Sequence, residues 1–125
     1  MRLLIAASSL LFLAAPGTAS QNHDKVPAAT PAGKPVDCIS LNQIRDTKVR
    51  DDQTIDFIAP NKKVYRNTLD GSCPQLGSEK RFSYKTSLDQ LCSTDTITVL
   101  VEPGLSRGAS CGLGQFQPVT LAGGH

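Results

Sequence analysis

Four cysteines constrain this chain more than any other feature. Cys38, Cys73, Cys92 and Cys111 are separated by 35, 19 and 19 positions. An even number of cysteines in a small exported chain reads as two disulfides. A zinc site would need pairs roughly two to four residues apart, and no pair has that spacing. The only histidines, His23 and His125, lie near the two ends. No metal and no cofactor are therefore expected. A domain of fewer than about a hundred residues buries only about 60–65% of its unfolded-chain surface, so its core alone is marginal. Each bridge can add about 3–4 kcal/mol by restricting the unfolded chain, which is comparable to the net stability of a small domain.

The reading of the chain as exported rests on its first residues. Arg2 supplies a positive start, residues 3–15 are an apolar run, and Pro16-Gly17 interrupt any helix. Gly17-Thr18-Ala19 then puts small residues at a cleavage point. This is the plan of a signal peptide over residues 1–19, and the run is too short to span a membrane. No later segment is apolar enough to do so. The expected location is periplasmic or secreted, and the absence of an Asn-x-Ser/Thr acceptor fits a bacterial source. Residues 20–35, with Pro27, Pro31 and Pro35 and no apolar period, read as a disordered tether. The disulfide-bonded domain is expected over residues 36–121, and residues 122–125 as a frayed tail.

Within that domain the periodicity is that of strands. In residues 53–59, Ile55 and Phe57 share a face; in 63–69, Tyr65 and Leu69 oppose Val64, Arg66 and Thr68. With Pro60-Asn61-Lys62 between them, these segments predict a hairpin. Residues 81–87 alternate, and 96–102 carry Ile97, Val99 and Val101 inward. Residues 88–95 read as an irregular or single-turn helical link. A last strand is expected over 110–121, interrupted by Gly112 and Gly114. The fold class is all-β: a small barrel or sandwich of five or six short antiparallel strands.

These segments carry a resemblance. Asp51-Asp52-Gln53-Thr54-Ile55-Asp56-Phe57, Tyr65-Arg66-Asn67-Thr68-Leu69, Ser72-Cys73-Pro74 with Leu76, and Arg81-Phe82-Ser83-Tyr84 form its first part. Leu91-Cys92-Ser93 with Asp95, and Cys111-Gly112-Leu113-Gly114 with Phe116 and Pro118-Val119, complete it. From Cys38 to Val119 the chain resembles a family of small secreted four-cysteine bacterial proteins of unestablished function. The resemblance implies no catalytic residue.

Candidate chemistry can be weighed residue by residue. A Ser or Cys nucleophile needs a base, and both histidines stand outside the domain. Asp51, Asp52 and Asp56 could bind calcium or serve a glycosidase. Their spacing is not that of a calcium loop, and a solubilising turn with an Asx contact is the plainer reading. Asp95 is expected to organise the link before its strand by accepting backbone N–H groups. Gly112-Leu113-Gly114 reads as a bulge or a close backbone approach near Cys111. Arg45, Lys48, Arg50, Lys62, Lys63, Arg66, Arg81 and Lys85 could form a basic face, although interspersed acids favour a mixed surface. Tyr65 and Tyr84 could be a stacking platform but fit better as core residues.

A formal charge of +2, from 13 basic and 11 acidic residues, argues against a nucleic-acid partner. The expected function is an exported, non-enzymatic binding or envelope accessory module. Its ligand is unknown and its partner is a protein or a cell-envelope component. The alternative is a small secreted enzyme or enzyme inhibitor, the latter using a rigid protruding loop at 74–80 or 103–110. Disulfide pairing stays open between two patterns. A simple antiparallel meander puts Cys38 with Cys92 and Cys73 with Cys111. If loop 70–80 carries Cys73 back along the fold, Cys73 joins Cys92 and Cys38 joins Cys111.

Overall fold

The structure is a computed structural model that describes residues 26–86 and 88–122. The signal-peptide expectation over 1–19, His23 and His125 lie outside these residues. The described chain is an all-β sandwich with antiparallel sheets and no closed barrel.

The strands are β1 (Ala29–Pro31), β2 (Cys38–Ser40), β3 (Asp46–Asp51), β4 (Thr54–Ile58), β5 (Val64–Thr68), β6 (Phe82–Tyr84), β7 (Gln90–Cys92), β8 (Thr96–Val101), β9 (Ser106–Gly112) and β10 (Phe116–Leu121). A 3-10 turn at Leu41–Gln43 follows β2, and a single-turn helix α1 (Leu76–Glu79) precedes β6. The large sheet runs in the order β1-β10-β5-β4-β3. A three-stranded sheet runs β6-β8-β9, and β2 pairs with β7.

The expected hairpin is β4–β5, with Phe57 opposite Tyr65 and Asp56 opposite Arg66. Ile55, Phe57, Tyr65, Leu69 and Phe116 meet Leu76, Ile97, Val99 and Leu113 in one buried cluster. Phe57 meets Phe116 edge-on at 5.4 Å between centroids. Leu76 is completely buried, which explains why so short a helix forms where no element was expected. Tertiary packing holds it, because four residues cannot sustain a helix by propensity.

Several expectations need correction. Among the described residues ten strands form rather than five or six, because four of them are only three residues long and three of those show no period. The last strand is two strands. Residues 106–112 turn back along β8, with Cys111 opposite Ile97, and β10 begins at Phe116 on the other sheet. Residues 90–92 form β7 instead of an irregular link.

The tether expectation fails over residues 26–35. β1 pairs with the end of β10, Ala29 opposite Leu121. Farther along, Ala32 N donates to Pro118 O at 2.8 Å, and Val36 bridges Phe116. The prolines do not prevent this pairing. An edge strand bonds on one side only, so it tolerates residues without an N–H. Ala122, expected as tail, donates its N–H to Ala28 O at 2.9 Å.

The bridges join Cys38 to Cys92 and Cys73 to Cys111. Cys38 and Cys92 are direct cross-strand neighbours in β2–β7. The route to the second bridge is not the one a meander assumes. Cys111 lies near the end of β9 instead of opening the last strand, and the loop after β5 brings Cys73 to it, tying the large sheet to the three-stranded one.

Candidate functional site

The residues nominated for chemistry are built into the scaffold. Asp51 Oδ1 accepts from Gln53 N at 2.9 Å within the β3–β4 turn. Asp52 Oδ1 accepts from Gly77 N at 2.7 Å and so anchors the first turn of α1. The two carboxylates serve different tasks, because Asp51 ends β3 whereas Asp52 lies in the turn that follows it. Asp95 Oδ2 accepts from Cys92 N at 2.8 Å, the turn-organising role that its position suggested.

Asp56 is not part of a solubilising turn. Its side chain is fully buried between two arginines. Arg50 Nε reaches Oδ2 at 2.8 Å, while Arg66 makes a two-pronged contact, Nε to Oδ1 at 2.8 Å and Nη2 to Oδ2 at 3.0 Å. Arg66 Nη1 also donates to Pro27 O at 3.0 Å. One carboxylate thus links β3, β4, β5 and the segment leading into β1. Arg50 Nη2 is buried without a hydrogen-bond partner. The fork geometry of arginine suits this arrangement, whereas lysine, a compact point charge, has no planar pair of parallel donors to match the two carboxylate oxygens.

Gly114 marks a close backbone approach. Its N–H donates to Asn67 Oδ1 at 2.8 Å, and its carbonyl accepts from Asn67 Nδ2 at 2.7 Å. A Cβ at Gly114 would overlap the Thr68 carbonyl oxygen. The fully buried Asn67 satisfies its polar atoms by this clamp. Tyr65 is buried in the core, and half-buried Tyr84 packs against it, so the two rings form no open platform.

The basic residues divide. Arg50 and Arg66 are committed to Asp56, and Arg81 pairs with Glu79 at 3.2 Å and with Glu102 at 3.8 Å. Arg45, Lys48 and Lys85 are exposed and scattered. Lys62 and Lys63 stand together in the β4–β5 turn, where Lys62 adopts φ 71°. Among the described residues neither is in an ion pair.

These two lysines border a cleft of about 290 Å³. Its cause is a mismatch of strand lengths. The β10–β5 ladder ends at Val119 opposite Val64, yet β10 continues through Thr120 and Leu121, which pair only with β1. On the other side the chain turns away, with Ala59 N donating to Lys63 O and Lys62 N to Ala59 O. The gap is floored by Val64, Val119 and Leu121 and rimmed by Asn61, Lys62 and Lys63. Sequence reasoning named the lysines only as part of a general basic face. It missed the floor, since the end of a ladder leaves no mark in a sequence. The Asn-Lys-Lys turn between two strands was the one available signal.

A family of unknown function, DUF6491, matches residues 1–122. The chain belongs to DUF6491. The DUF6491 match takes in both disulfides, the Asp56 cluster and the cleft. No curated protein and no solved structure matches the chain. Nothing in the DUF6491 description points to catalysis. Among the described residues, no helix is long and apolar enough to cross a membrane.

Proposed function

We propose that this protein is an exported, non-enzymatic binding module of the bacterial periplasm or cell exterior. The observation that carries the reading is the cleft at the end of the β10–β5 ladder, which Val64, Val119 and Leu121 line and which two exposed lysines border, neither of them in an ion pair among the described residues. Concave apolar sites with a few polar groups at the rim are what ligand recognition requires. The residues that could have served acid–base chemistry support the same reading, because Asp51, Asp52, Asp56 and Asp95 all hold backbone or arginine partners. Export is supported by the signal-like residues 1–19 and by two disulfides, which persist in oxidising compartments.

The test immobilises the oxidised chain and exposes it to periplasmic extract. One envelope component should be captured reproducibly and released by the soluble chain. Turnover of a metabolite, with no component captured, would refute the reading. N-terminal sequencing of exported material should find a start near Ser20 or Gln21; an intact Met1 would refute export by cleavage.

One observation favours the inhibitor alternative. The β8–β9 hairpin tip carries Leu105 with 47% of its surface exposed. Residues 74–80, the other loop considered for that role, are held down by α1.

A further inference from the structure

We infer that the Cys38–Cys92 bridge is an exchangeable disulfide, which a dithiol opens while Cys73–Cys111 stays closed and the fold persists. The inference is independent of the cleft and adds a site of thiol–disulfide exchange to the binding-module reading.

The two bridges lie in different surroundings. Cys73 is completely buried, and Cys111 packs against the same main core. Cys38 and Cys92 are half-buried and belong to neither apolar cluster. They stand directly opposite each other in β2–β7, a two-stranded ladder outside both larger sheets. Ile39 and Leu91, the next pair in the register, are buried in the core. Side chains alternate along a strand, so the cysteines face the other way. Exchange begins when a thiolate attacks one sulfur of a bridge, and its rate depends on access. The outward bridge meets that demand. In the other bridge Cys73 is sealed, and attack at Cys111 would expel the Cys73 thiolate into the apolar core, where a charge is costly.

The strands keep their register without the bridge. On one side of the cysteine pair Ser93 N donates to Asp37 O at 2.7 Å. On the other, beyond Ile39 and Leu91, Leu41 N donates to Asp89 O at 2.9 Å. Cys92 N donates to Asp95 Oδ2 at 2.8 Å, and Asp37 Oδ1 accepts from Gln115 Nε2 at 2.9 Å. None of these bonds passes through sulfur. Gln90 Oε1 lies 3.7 Å from Cys92 Sγ, where it can accept from the thiol that reduction creates. The opened pair thus stays together, ready to close again. A dithiol balances the chemistry. Its first thiolate bonds to one sulfur, the Cys38–Cys92 bond breaks, and the departing sulfur takes a proton. Its second thiolate closes the reductant's own disulfide and frees the remaining sulfur, which takes another proton. Two electrons and two protons pass to this chain, and an oxidant of the disulfide class reverses the step.

The experiment exposes the full, oxidised chain to graded dithiothreitol, traps free thiols with N-ethylmaleimide and locates them by peptide mass spectrometry. Cys38 and Cys92 are expected to be labelled together, about tenfold faster than Cys73 and Cys111. Far-ultraviolet circular dichroism, recorded before trapping, should keep its strand signal while only the first pair is open. Replacing the reductant by oxidised glutathione should restore the Cys38–Cys92 bridge. A Cys38→Ser, Cys92→Ser variant should keep the same spectrum and take no label over the interval that opens this bridge in the parent chain. Equal labelling of all four cysteines, earlier labelling of Cys73 and Cys111, or loss of strand signal with the first pair or in the variant would overturn the inference. No step involves the cleft, so this inference and capture of an envelope component fail separately.

Discussion

Replacing Asp56 by alanine removes the one anion between two nearly buried cations. The Arg50 and Arg66 side chains are each 14% exposed, against 0% for Asp56. Three charge-assisted hydrogen bonds disappear together. Their separate worths do not add, because the same two guanidiniums are stranded in every accounting. Removing one partner of a buried ion pair costs about 3–5 kcal/mol. The residual exposure of the arginines lets water recover part of that, which places the expected loss near 3 kcal/mol. For a small domain of about 5–15 kcal/mol stability, this is a large fraction. Urea unfolding of the oxidised protein, followed by far-ultraviolet circular dichroism, should show a lower midpoint with an unchanged slope. The cause can be isolated with a second variant, Arg50→Met, Asp56→Leu, Arg66→Met. Apolar replacement of a buried charge cluster is often neutral or stabilising, so this triple variant should regain most of the loss. A loss below about 1 kcal/mol for Asp56→Ala would refute the reasoning, as would a triple variant no more stable than the single one.

Gly114→Ala should cost more than about 2 kcal/mol, because the new methyl overlaps the Thr68 carbonyl while Asn67 holds the backbone in place. Gly112→Ala, where the nearest atom is Asp70 Oδ2 at 3.9 Å, should stay within about 0.5 kcal/mol; thermal unfolding compares the two. Leu105 has φ 53°, a conformation that costs most L-residues about 1–2 kcal/mol but suits asparagine. Leu105→Asn should therefore raise stability by about 0.5–1 kcal/mol in urea titration, and a loss would contradict the strain argument. Reduction of both bridges, with sequence separations of 54 and 38, should remove about 4 kcal/mol each by chain entropy. Circular dichroism in the presence of a strong reductant should show the loss of strand signal at room temperature.

The β4–β5 hairpin was legible because each strand has one core face and the turn between them carries proline and asparagine. Ile55 and Phe57 announced that face by period alone. Strands β1, β2 and β7 were not legible in the same way, whereas β6 lies within the alternating residues 81–87. Three residues make barely one alternation, and such strands exist by virtue of partners far away in the chain. The break between β9 and β10 was marked by Gly112 and Gly114, yet a bulge and a change of sheet use the same glycines. Asp56 was misjudged for a related reason. In a sequence, one acid among Asp51, Asp52 and Asp56 looks like the others. Only the register, which sets Asp56 opposite Arg66 and diagonal to Arg50, two residues beyond its β3 partner Lys48, separates the buried anion from the turn residues. The cleft was the least legible feature, since it arises from where a ladder stops.

The pairing of Ala29 with Leu121 gives the large sheet an order of completion. Residues 29–31 are synthesised first among the elements and must wait for residues 119–121, almost the whole domain later, before they have a partner. Contacts this distant in sequence are costly to close and slow to form. The segment Ala29-Thr30-Pro31 carries no large apolar side chain that could seek a wrong strand in that interval. Once β10 arrives, the same segment covers an edge that would otherwise template pairing with a second chain. The stretch that reads as a spacer is thus the seam, closed last, that keeps each copy of the sheet to itself.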